Sequence, residues 1–188
     1  MSEQTDTIGE EAAIPPLNEA PIGALLGALA ATLSSIGTFS IGILMMLIVA
    51  DVIGRNFLNA PITGVSEIAG RAVVAIVFLQ VSAAIMQRRL TRADFLIRRI
   101  GDRSPRAVAV LEILFNLTGA VVFALILWAS WPSAVEAWST SEFFGVQGVF
   151  TVPTFPFRAI TVIGSGVAVL ACLYQAVLHG RILRDTTR

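Results

Sequence analysis

The chain has 188 residues, of which 55% are hydrophobic and only 14% charged, with a mean hydropathy of +0.79. A soluble domain would carry about 25% charged residues, so the deficit points to a bilayer. The 13 basic and 13 acidic residues cancel, which gives no reason to expect nucleic acid binding; one cysteine and one histidine exclude a disulfide scaffold, a Cys/His zinc cage and a bis-histidine haem site.

Residues 1–21 carry Glu3, Asp6, Glu10, Glu11 and Glu19 and no basic residue, together with Pro15, Pro16 and Pro21. A secretory signal needs a positive n-region, so this stretch reads as a disordered, acidic, uncleaved tail. A transmembrane domain over 22–180 follows, with spans at about 22–50, 68–86, 107–131 and 159–178, and then a basic tail at 181–188. Each span is long enough to cross a hydrocarbon core of about 30 Å, and none alternates like a barrel strand. The first is longer than the core and must tilt or begin in the interface. The expected fold class is an all-α integral membrane protein with four transmembrane helices.

Orientation follows from the arginines. With an even number of spans, one side holds Arg88, Arg89, Arg92, Arg98, Arg99, Arg103, Arg106, Arg181, Arg184 and Arg188, and the other only Arg55 and Arg158. The positive-inside rule then places both termini in the cytoplasm, with Trp128, Trp131 and Trp138 at the outer interface.

Span one begins with Gly23, Gly27, Ala31 and Ser35, and span four contains Gly164, Ala168, Cys172 and Ala176. Small residues spaced by four let a neighbouring backbone approach, whether in this chain or another. In span two, Arg71 and Gln80 project from opposite faces, which calls for protein on two sides. Glu112 and Asn116 share a face near the start of span three, where an ion pair with the adjoining arginine-rich loop is favoured over a proton relay. Within the 87–106 loop, Leu90, Ala93, Ile97 and Ile100 share one face. That pattern suits either an interfacial amphipathic helix between spans two and three or a plain basic connector. Pro132–Phe157 reads as an outer loop, unusually aromatic, that either dips into the interface or docks on a protein. No nucleophile motif, P-loop, zinc motif or dinucleotide fingerprint occurs, so neither an enzyme nor a cofactor, metal or substrate site is expected.

One stretch is more specific. Asp51-Val52-Ile53-Gly54-Arg55, then Asn59 and Pro61, then Gly64 and Glu67, closes span one and opens span two. It resembles the signature of the small, Q-type permease subunit of tripartite ATP-independent periplasmic (TRAP) transporters. Arg92-Ala93-Asp94-Phe95-Leu96 resembles that family's Arg-x-Asp-hydrophobic segment, and the Trp138–Glu142 segment and the proline-flanked start of span four fit more loosely. The chain departs from the pattern at Arg71, where relatives often carry an apolar or acidic residue, and at Leu90 or Thr91, where a histidine is frequent. The resemblance implies a bacterial inner-membrane subunit that scaffolds a large polytopic permease subunit. It also implies a periplasmic substrate-binding protein and sodium-coupled uptake of organic acids such as carboxylates. It marks Asp51, Arg55, Asn59, Pro61, Gly64, Glu67, Arg71, Arg92 and Asp94 as structural or subunit-interface residues, among which Asp51–Arg55 and Glu67–Arg71 are expected i, i+4 ion pairs that can cross-pair to pin the first hairpin. The rival reading is a self-sufficient, homodimeric proton-coupled exporter with Glu112 or Glu67 as its relay.

Overall fold

The computed structural model describes residues 21–87, 105–145 and 150–185. Four helices dominate it: α1 Pro21–Phe57, α2 Val65–Met86, α3 Pro105–Ser139 and α4 Phe155–Asp185. A two-residue pair of strands, β1 Phe143–Phe144 and β2 Val152–Pro153, lies between α3 and α4, antiparallel and in the register Phe143–Pro153 and Phe144–Val152. All four helices are long and apolar enough to cross a membrane. The 87–106 segment, with Arg92 and Asp94, falls largely outside the described residues.

The helices run further than hydropathy alone suggests. At about 1.5 Å per residue, the 37-residue α1 is about 55 Å long and the 35-residue α3 about 52 Å, against a hydrocarbon core of about 30 Å. α1 continues past Ala50 through Asp51 and Arg55, and α3 continues past Trp131 to Ser139. Hydropathy marks where lipid ends, not where backbone hydrogen bonding ends. Pro132, read from the sequence as the start of a loop, lies inside α3. It removes one i→i−4 bond without ending the helix. The true connection between α3 and α4 is therefore residues 140–154, shorter than the expected 132–157 loop.

The packing order is α1 against α2, α2 against α4, and α4 against α3, with α1 meeting α4 much less. α2 and α4 are thus the inner pair, a third of each span buried, while α1 and α3 flank them with 11% and 17% buried. The central cluster is built from Ile85 of α2, Ala120 of α3 and Ala168, Ala171 and Cys172 of α4, with Val81, Met86 and Phe123 around it. Gly164 lets α2 lie against α4, because a Cβ there would stand 2.7 Å from the Phe78 carbonyl carbon. On the other side of α4, a Cβ at Gly119 of α3 would sit 3.3 Å from Cys172 Sγ.

Both small-residue stripes therefore serve contacts within this chain. In α4, Gly164, Ala168 and Cys172 are buried and Ala176 half-buried. In α1 the buried line runs Gly23, Ala24, Gly27, Ala30 and Gly37, leaving Ala31 half-buried and Ser35 exposed. The reason is geometric: a strict spacing of four gains about 40° per step, so by Ser35 the stripe has rotated about 120° away from Gly23. Gly37 makes room for Gln80, and Gly23 for the Tyr174 hydroxyl of α4. Span two does have protein on two sides, α1 at Gln80 and α4 at Phe78.

Candidate functional site at the hairpin end

The signature residues that the structure describes gather where α1 turns into α2, and this end also carries the 140–154 connection. On α1, the four-residue spacing stacks Arg55 one turn beyond Asp51, and Arg55 donates to Asp51 Oδ2 at 3.0 Å. The second carboxylate oxygen does different work: Asp51 Oδ1 accepts the Ile62 backbone N–H at 2.9 Å across the turn. Asp51 is 8% exposed, so it is a buried strut and not a surface charge. Two residues past the end of α1, Asn59 stands in the left-handed region at φ 51°, a conformation that asparagine tolerates better than most residues. The chain then folds back tightly over Gly54, whose carbonyl accepts the N–H groups of Leu58 at 3.2 Å and Ala60 at 3.0 Å. A Cβ on Gly54 would lie 2.7 Å from the Ala60 carbonyl oxygen, so the turn needs glycine there. Pro61, exposed, follows with no N–H to satisfy.

Gly64 caps α2 at φ 86°, and the ring of Phe150 occupies the place a side chain would take. Glu67 is exposed in the first turn of α2, where its charge complements the helix dipole. The expected Glu67–Arg71 ion pair is not formed. The Arg71 guanidinium instead lies 4.0 Å from the centroid of the Phe144 ring in β1. An exposed i, i+4 pair contributes about 0.3–0.5 kcal/mol, whereas a cation over a desolvated ring contributes about 0.5–2 kcal/mol, and Phe144 is only 7% exposed. Nor do the two pairs cross-link among the described residues; the hairpin is pinned through the backbone of Ile62.

The α3–α4 connection has its own fixtures. Arg158, in the first turns of α4, donates to the Ser133 carbonyl at 2.7 Å and to Glu142 Oε1 at 3.1 Å, with Glu142 Oε2 3.0 Å away. The Thr154 N–H donates to the Glu142 carbonyl at 2.8 Å, and the Glu142 N–H to the Ala137 carbonyl at 3.2 Å. Trp138 packs on Phe155 with centroids 4.7 Å apart, and Phe144 meets Phe157 edge-on at 5.7 Å. The aromatic loop is thereby folded onto its own helices as well as onto Gly64 and Arg71. In the sequence Arg158 counts only towards charge balance, and nothing local places Phe144 or Phe150. Their partners lie far along the chain, where no periodic signal reaches.

The two carboxylates considered as relays stand towards opposite ends of the molecule, Glu67 in the first turn of α2 at the hairpin end and Glu112 early in α3 at the other. Beside Glu112, Asn116 is buried and donates to the Glu112 backbone carbonyl at 2.8 Å. Among the described residues no group of three or more His, Cys, Asp or Glu converges to hold a metal ion.

Compared with known proteins, residues 44–181 match the family model described as "Tripartite ATP-independent periplasmic transporters, DctQ component". That range takes in the end of α1, the whole hairpin end and nearly all of α4. No curated protein and no solved structure matches the chain. A family match over most of the chain agrees with the four membrane-crossing helices. The chain belongs to the DctQ family, the small membrane component of tripartite ATP-independent periplasmic transporters.

Proposed function

We propose that the chain acts as a scaffold that binds and positions the large polytopic permease subunit of such a transporter in the bacterial inner membrane. The observation that carries this reading is how the hairpin end is built. Asp51 closes the α1–α2 turn through the Ile62 N–H, and Arg158 ties Ser133 to Glu142 across the α3–α4 connection, so these charged residues shape a surface and do not line a path. The flanking helices add wide apolar faces, with Phe39, Met46 and Phe57 exposed on α1 and Leu125 and Trp128 on α3. Such faces suit bilayer and partner helices alike.

In this reading the sodium-coupled step and the organic-acid path belong to the large subunit, and a periplasmic substrate-binding protein delivers the carboxylate. The arginines of the 87–106 loop and of the C-terminal tail hold that end in the cytoplasm, so the hairpin end faces the periplasm. Asn59, Pro61, Glu67, Arg92 and Asp94 are then candidates for contact with the partner subunits. The test is purification of the tagged chain from native membranes in mild detergent, followed by mass spectrometry. A large polytopic membrane protein in stoichiometric amount is expected. A homodimer with no other chain in several mild detergents would overturn the scaffold reading and make Glu112 and Glu67 the residues to titrate.

A further inference from the structure

A groove of about 230 Å³ runs between α1, α2 and α4 below the hairpin end, walled by Leu44, Leu47, Ile68, Ala72, Ile76 and Phe157. Its lining is apolar apart from Ser40, whose hydroxyl donates to the Ile36 carbonyl at 2.8 Å and so offers the groove no free donor. From Arg71 down to Leu79, the groove's lower α2 residue, is about 12 Å along the helix, a distance directed from the membrane interface towards mid-bilayer.

Arg71 stands beside the upper part of this groove, between two of its lining positions on α2. Ile68 and Ala72, its neighbours on α2, line the groove; Phe157 lines it too and packs edge-on against Phe144, the ring that Arg71 covers. Arg71 is exposed, and among the described residues it makes no ion pair and no hydrogen bond. A guanidinium carries five N–H donors, and one placed near a helix end within a membrane-crossing segment reaches for the headgroup layer. The group in that layer matched to its planar fork is a phosphate, which it can hold through two parallel bonds. An apolar slot for a hydrocarbon chain thus runs beside a cation with unfilled donors.

We propose that this groove and Arg71 together bind one anionic glycerophospholipid, with an acyl chain between α1 and α2 and the headgroup phosphate on the Arg71 guanidinium. Phe144 covers one face of the guanidinium, which leaves its N–H edge for the phosphate. This is a property of the chain itself and stands whether or not the scaffold reading does.

The test uses the full-length chain, extracted with whatever permease subunit accompanies it and equilibrated with an equimolar mixture of phosphatidylglycerol and phosphatidylcholine. Retained lipid is counted by native mass spectrometry, and a photo-reactive residue at Ile43, exposed at the groove's rim, identifies the occupant. The expected result is retention of phosphatidylglycerol over phosphatidylcholine by about fivefold or more, as one interfacial arginine supplies, with loss of that preference in Arg71→Gln, a variant that still purifies as a folded species although it loses the Phe144 contact. Ala72→Trp, which fills the slot, should lose both lipids, and the photo-adduct should have the mass of a lipid. An undiminished phosphatidylglycerol preference in Arg71→Gln, equal retention of both lipids by the wild type, or a photo-adduct to protein would each overturn the proposal.

Discussion

Asp51 offers the sharpest test of the hairpin, because its two oxygens serve different partners with different burdens. Arg55 contributes an exposed side chain, 65% accessible, to a carboxylate that is 12% accessible. A pair of that kind contributes about 0.5 kcal/mol or less, so Arg55→Ala should be nearly silent. The bond to the Ile62 N–H is different. It links a charged acceptor to a backbone donor eleven residues away at 2.9 Å, and it closes the α1–α2 turn. Asp51→Ala removes that acceptor and leaves the donor without its charged partner, at a cost of about 2–3 kcal/mol. Asp51→Asn keeps an amide oxygen in place and loses only the charge, at about 1 kcal/mol. Hydrogen–deuterium exchange of a peptide containing Ile62, in nanodiscs, reads the local opening directly. At about 1.4 kcal/mol per factor of ten, Asp51→Ala should speed exchange there by about 30- to 150-fold, with Asp51→Asn in between and Arg55→Ala near wild type. Equal acceleration by Arg55→Ala and Asp51→Ala would show that the ion pair, and not the backbone bond, closes the turn. Unchanged exchange at Ile62 in Asp51→Ala would refute the reasoning altogether.

Two further substitutions probe close approaches. Gly64→Ala places a Cβ at φ 86° and into the Phe150 ring; the left-handed backbone alone costs about 1–2 kcal/mol, and the connection at Phe150 should loosen, as a lower melting temperature and faster proteolysis of the 140–154 segment would report. Gly164→Leu should separate α2 from α4 at Phe78 and sharply reduce the yield of folded protein, whereas Gly166→Ala, with open space around it, should leave the melting temperature within about 1 °C. Similar losses in both variants would mean that the α2–α4 contact does not depend on glycine at position 164.

The parts of this molecule visible in the amino-acid order are those settled by neighbours a few residues apart. A bilayer requires each crossing segment to satisfy its own backbone, so an apolar run of sufficient length is a helix wherever it occurs, and four runs mean four helices. Asp51 and Arg55 meet for the same reason: one helical turn brings them together. Other features depend on residues elsewhere in the chain. Arg71 had Glu67 within reach on its own helix, yet Phe144, buried in a loop that enters much later, is the better partner. Pro132 reads as the start of a loop, but α3 continues through it. The stripe through Gly23 and Gly27 was visible, but its continuation to Gly37, and not to Ser35, depends on where α2 lies and how the helix rotates against it. The order in which α1, α2, α4 and α3 stand side by side, the engagement of Arg158 with Ser133 and Glu142, and the meeting of Gly64 with Phe150 belong wholly to the tertiary structure. Hydropathy and helical periodicity extend over a few turns, while these contacts join residues whose proximity exists only once the helices have packed.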